Sequence, residues 1–109
     1  MNMEYIAYHG TKEGFSGAAS AGLGEWFGTN NETYAQQYGN VELFRIELNN
    51  PYHMDVAEFR SYDRFGARFD DAVKYREALK AKGHDGIIVN QRGGVIEYIL
   101  FNKSKANKA

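Results

Sequence analysis

No cysteine occurs in the 109 residues, which excludes disulfides and a thiol nucleophile and argues against a structural zinc site. The three histidines stand far apart, with no HExxH or comparable spacing, so no metal is expected. No apolar run is long enough for a membrane span, and no charged segment followed by an apolar one marks a leader. A cytoplasmic protein without membrane contact is expected. Charge of one sign is missing too. Thirteen basic residues against fourteen acidic ones give a net charge of −1, which leaves no broad electrostatic footprint for duplex DNA.

What the chain does have is aromatic mass: eight Tyr, seven Phe and one Trp. Many of these belong in a core, and flat ligands need such walls as well. The length suits one domain, residues 1–109, able to bury roughly two-thirds of the surface its unfolded form exposes. The terminal "KSKANKA" is locally basic, and residues 102–109 are expected to fray into solvent.

Hydrophobic alternation marks a strand over residues 4–9, with Tyr5, Ala7 and His9 on one face and Ile6 and Tyr8 on the other. The following "GTKEGFSGAASAGLG" has the composition of a long surface loop. It lacks the GK[ST] ending of a phosphate-binding loop. "EWFGT" predicts a brief second strand. A short helix, "NETYAQQY", follows, capped by Thr29 or Asn30 and stopped at Gly39. "VELFRIEL" alternates as a third strand closed by the "NNP" turn. Residues 52–64 give no clear pattern. Phe65, Phe69, Ala72, Val73 and Leu79 form a helical stripe over 65–82, ended by Gly83. "DGIIVN" predicts a buried strand, "QRGG" a turn, and "VIEYILF" the last strand. The whole is an α+β domain, mostly strands, with one short and one longer helix.

Glu97 breaks the pattern of that last strand. It shares a face with Val95, Ile99 and Phe101 in a run otherwise apolar or aromatic. A buried carboxylate needs a partner or a raised pKa; on an edge strand it would simply point into water. A glutamate fixed on a strand at a cleft is also suited to glycosidic chemistry, where it stabilises an oxocarbenium-like transition state.

"YHGT" ending an early strand, "EWFGTNNETYAQQY" in the middle and "IEYILFN" near the end together resemble the diphtheria-toxin and poly(ADP-ribose) polymerase class of ADP-ribosyltransferases. The pattern is their H-Y-E motif, in the style of compact bacterial and phage members. The resemblance covers nearly the whole chain. It implies a split β-sheet core and a mono-ADP-ribosyltransferase, a glycosyltransferase of the pentosyl type. Such an enzyme cleaves the nicotinamide–ribose bond of NAD+ and passes ADP-ribose to a macromolecular acceptor. The acceptor would be protein or nucleic acid, RNA included, and the biology that of a toxin or a phage or anti-phage effector with a cognate antitoxin. An NAD+ glycohydrolase and a degenerate, non-catalytic binding module are the alternatives.

Carried over by residue, the resemblance gives His9 to the adenosine ribose of NAD+. Gly10, bare of Cβ, goes to the nicotinamide carboxamide, with Thr11 as a supporting hydroxyl. Phe27 and Tyr38 flank the nicotinamide; a register shifted by one would use Trp26 in place of Phe27. Glu97 is the catalytic carboxylate. Three positions depart from the family: Phe27 replaces the usual tyrosine, Ala35 a common serine, and Val95 the second Glu or Gln of arginine-modifying relatives. Lys12 is a candidate contact for the pyrophosphate, resting on one lysine after a turn. The remaining candidates have plainer readings: His53 and His84 as surface or packing residues, Asp70 and Asp71 as first-turn helix charges, and Tyr34 and Tyr98 as core.

Overall fold

A computed structural model describes residues 3–10, 22–37, 39–63 and 69–109. Its elements run β1 (Glu4–Gly10), β2 (Trp26–Thr29), α1 (Glu32–Gln36), β3 (Val41–Glu47), β4 (Pro51–Asp55), α2 (Val56–Asp63), α3 (Phe69–Ala81), β5 (Gly86–Asn90), β6 (Ile96–Leu100) and β7 (Ala106–Lys108). The strands form one seven-stranded sheet in the order β4-β5-β6-β2-β1-β3-β7. Every neighbouring pair is antiparallel except β4 and β5. Among the described residues no helix is long and apolar enough to cross a membrane.

The sheet is not uniformly joined. β1 and β3 pair along their whole length, from Glu4↔Glu47 to Gly10↔Val41, and β2 and β6 pair from Trp26↔Leu100 to Thr29↔Glu97. Between β2 and β1 one pair, Tyr8↔Thr29, is in register among the described residues. This seam divides a β4-β5-β6-β2 half from a β1-β3-β7 half.

Two buried clusters follow the pleat. On one side Met54, Phe59, Ala72, Leu79, Ile87, Val89 and Ile99 pack α2 and α3 onto the first half. On the other side Ala7, Trp26, Ile46, Leu48, Ile88, Tyr98 and Leu100 form a second cluster that crosses the seam. β5 is covered on both faces, which explains why "GIIV" reads as a continuous apolar run. Its first residue is glycine for want of space: a Cβ at Gly86 would stand 2.4 Å from both the Ile99 carbonyl oxygen and Leu48 Cδ2.

Three expectations about the elements change. Residues 52–64, which gave no clear pattern, supply β4 and α2. The helix starts because Asp55 Oδ1 accepts from the Glu58 N–H at 2.8 Å, satisfying an orphan donor of its first turn. There are thus three α-helices among the described residues, not two. The cap of α1 is Asn31, whose Oδ1 accepts from the Tyr34 N–H at 2.8 Å, one residue beyond the expected Thr29 or Asn30. The basic tail does not fray. Asn102 Oδ1 accepts from Ser104 N–H, Lys103 N–H donates to Glu25, and β7 then pairs with β3. Lys108 meets Glu42 at 3.1 Å and decorates an edge strand, while Lys103 and Lys105 belong to the turn before it.

α3 ends as its sequence predicts. Gly83 adopts φ +92°, its N–H donates to the Lys80 carbonyl and that of His84 to Leu79, a Schellman closure. Asp85 then clamps the "NNP" turn, accepting from Asn49 N–H at 2.6 Å and Asn50 N–H at 3.0 Å. His84 Nδ1–H donates to the Asn50 carbonyl at 3.0 Å. This clamp starts the parallel pairing of β4 with β5 at Pro51↔Gly86. His84 is thus a turn-binding residue, and His53 is exposed on β4.

Candidate functional site

Glu97 is 7% exposed. Its register partner is the buried Thr29, and Thr29 in turn faces Tyr8 across the seam. Cα partners share a face, so Glu97 leaves the sheet on the side of Tyr8, Thr29, Phe27 and Ile99. Tyr34 of α1 donates its hydroxyl to Glu97 Oε1 at 2.5 Å, and Gln91 Nε2–H approaches the same hydroxyl at 3.4 Å. The helix that delivers Tyr34 is anchored twice. Asn31 caps it, and Asn31 N–H donates to Thr29 Oγ1 at 3.2 Å.

Asn30 locks the turn before β6 to the same corner. Its N–H donates to the Ile96 carbonyl at 3.1 Å and its Oδ1 accepts from Ile96 N–H at 2.8 Å. Its Nδ2–H donates to the Gly94 carbonyl at 3.0 Å. A buried carboxylate is thereby held by a hydroxyl whose own helix and turn are fixed, the arrangement that makes a buried polar group affordable.

His9 belongs to the other side of the pleat. It follows Tyr8 and pairs with Glu42, and its ring stacks on Trp26 at 4.8 Å and 16°, with the edge of Phe44 at 5.4 Å. The contact of Nδ1 with the Phe27 carbonyl oxygen, 2.6 Å, requires the proton on Nδ1, since a carbonyl can only accept. This bond spans the seam where backbone pairing is thin. Gly28 makes room for the stack: a Cβ there would lie 2.4 Å from Trp26 Cη2. The "WFG" sequence therefore has a packing reason of its own.

The other site residues divide as follows. Gly10 is the last residue of β1, opposite Val41. Phe27 is half-buried against the cluster under α2 and α3, on Glu97's side, whereas Trp26 packs on His9's side. Ala35 is buried in α1. Thr11, Lys12 and Tyr38 lie outside the described residues. Asp70 and Asp71 stand in the first turn of α3. The structure thus brings together Glu97, Thr29, Tyr34 and Gln91. It groups His9 with Trp26 and Phe44. Sequence reasoning took Tyr34 for core and Asn30 for a cap of the short helix, and it linked neither of them, nor Gln91, to Glu97. Nothing in their spacing marks them, because their meeting depends on β2 pairing with β6.

No family model matches the chain, and no curated protein does. The solved structure of an anti-CRISPR protein is similar in fold, with a TM-score of 0.52 and 16% sequence identity over 96% of this chain and 93% of that one. That finding corrects the identification drawn from the three motifs. The fold is shared with an anti-CRISPR protein, and no family or curated relative ties the chain to the ADP-ribosyltransferases. The expectation of an NAD+-dependent transferase is corrected with it. Each motif has a structural account: His9 bridges the seam, Gly28 accommodates Trp26, and Tyr34 partners Glu97.

Proposed function

We propose that this chain is a binding module that acts by occupying a protein partner in the cytoplasm, in the contest between phage and host. The observation that carries this reading is a bare apolar strip on the β1-β3-β7 half. Ile6 is 49% and Leu43 41% exposed. Leu43 pairs with the half-buried Tyr8, and Ile6 with the exposed Arg45, so the four side chains share one face of two adjoining strands. α2 and α3 cover the other half of this face. An apolar centre with a charged rim is the composition of a protein-binding patch, and Arg45 suits an acidic group on the partner. The likeness in fold to an anti-CRISPR protein supports an inhibitor that works by contact.

Plating of a targeted phage on cells with active CRISPR–Cas interference, tested across several system types, checks the proposal. Expression of the chain should restore plaques, and the doubly substituted Ile6→Lys, Leu43→Lys variant should not. Glu97→Gln keeps an acceptor for Tyr34 and should protect the phage as well as the unaltered chain. Protection that survives in the strip variant but is lost in Glu97→Gln would overturn the reading. So would nicotinamide release from NAD+ by the purified chain.

A further inference from the structure

A groove of about 350 Å³ opens beside α2, lined by Val56, Ala57, Arg60, Ser61 and Arg92. It lies at the small end of the range for ligand cavities, roughly 300–1,000 Å³. Its charge is one-sided. Arg60 comes from α2 and Arg92 from the turn before β6, and among the described residues neither forms an ion pair. Among the described residues no carboxylate is part of the lining.

Glu58 and Asp55, the acids at the start of α2, are engaged elsewhere. Glu58 stands two residues from both Val56 and Arg60, on the opposite side of the helix. There it accepts from the hydroxyls of Tyr75 and Tyr52. Asp55 caps the helix through Glu58 N–H. Ser61 Oγ–H donates to the Glu58 carbonyl at 2.6 Å, so among the described lining residues the free side-chain donors are the two guanidinium groups.

Both arginines stand on fixed supports. The Arg92 turn is closed by Gln91 N–H donating to the Val95 carbonyl at 2.8 Å and by Asn30 holding Gly94. Gly93 and Gly94 adopt φ +74° and +78°, and a Cβ built on either would meet no atom within 4 Å. The backbone beside Arg92 is thus open to close approach by a ligand. Two like charges facing one groove repel, and a multiply charged anion relieves that repulsion. Two guanidinium forks arriving from different elements suit the several oxygens of a phosphate, while Val56 and Ala57 offer an apolar wall to whatever carries it.

We propose that this groove binds a phosphate group gripped by Arg60 and Arg92, carried either by a free nucleotide or by the backbone of single-stranded RNA. The site is separate from the β1–β3 strip and stands or falls independently of the function proposed for it. Titration calorimetry with inorganic phosphate and with AMP, and fluorescence anisotropy with a labelled oligoribonucleotide, test it at low salt on the full chain. Saturable binding is expected. Arg60→Ala and Arg92→Ala should each weaken it about tenfold, as expected for loss of one charge-assisted contact, and the double variant should lose it. Both side chains are exposed, so the unliganded melting temperature of each variant should stay unchanged, which separates loss of binding from loss of fold.

Affinity that rises with oligonucleotide length and falls with salt, by about 0.7 per phosphate contacted on logarithmic axes, assigns the backbone source. Saturable AMP binding that length does not improve assigns the free nucleotide. Absence of saturable binding to all three probes would overturn the site, as would undiminished binding by the double variant.

Discussion

The two halves of the sheet on either side of the seam use the same strand geometry to different ends. In the β4-β5-β6-β2 half, Ile87, Val89 and Ile99 lie under α2 and α3 while Ile88, Tyr98 and Leu100 face the second cluster. In the β1-β3 half, Ala7 and Ile46 face that second cluster, but on the opposite side Ile6 and Leu43 are exposed and Tyr8 is half-buried. Burial on two faces concentrates stabilisation in the first half, since hydrophobic stabilisation scales with apolar area removed from water. The second half keeps apolar surface in water, which is a cost for folding and a resource for binding. Stability and recognition are thus separated along the strand order.

Substitutions that grade from the covered half to the bare one test this division. The largest loss belongs to Gly86→Val, which drives side-chain atoms into the Ile99 carbonyl and Leu48. Urea unfolding should show a loss of about 3 kcal/mol. Tyr34→Phe, at the seam, strips the hydroxyl from buried Glu97 and should cost about 2 kcal/mol in the same assay. A loss as small as that of a surface substitution would show that the corner does not help to hold the halves together.

A third test lies under the helices and reads on pH. Burial first, and then the hydrogen bond to Glu58, hold the Tyr75 hydroxyl well above the ordinary tyrosine value of 10.0. The folded chain keeps this proton when the unfolded chain has lost it. The contribution is therefore complete below about pH 10 and declines as pH rises above the unfolded value toward the folded one. Tyr75→Phe should accordingly flatten the alkaline fall in melting temperature. An unchanged slope would assign that fall to other groups, Tyr98 among them, whose hydroxyl burial also raises.

The smallest effect on stability is expected for Leu43→Lys on the bare strip, within about 0.5 kcal/mol by thermal or urea unfolding, although it should disable partner binding. A large destabilisation there would mean that the strip is core and would remove the contrast between the halves.

Much of the strand framework is legible in the sequence. The alternation of "EYIAYH" and "VELFRIEL", the apolar "GIIV" and the Gly83 stop each appear in the structure where local physics puts them. In these segments period, β-branching and glycine conformation agree. β4 and α2 were not legible, because Tyr52, His53 and Glu58 look like loop residues until Asp85 clamps the turn and Tyr75 reaches Glu58. β7 is hidden by the lysines in and just before it, and its pairing depends on β3, some sixty residues earlier in the chain. Glu97 stood out as a polar residue in an apolar strand. Its partner did not, since Tyr34 looks like any other core aromatic.

From local pattern alone come the strand character of β1, β2, β3, β5 and β6, the place where α3 stops, and the need of Glu97 for a partner if buried, because these follow from side-chain period, glycine's tolerance of positive φ and the cost of burying charge. The tertiary structure alone decided the strand order, the Tyr8↔Thr29 register across the seam, and the separation of His9 from Glu97 onto opposite sides of the pleat. It also decided which apolar strip stayed bare. These outcomes rest on contacts between residues distant in the chain, and a local pattern carries no record of which strand its neighbour will be.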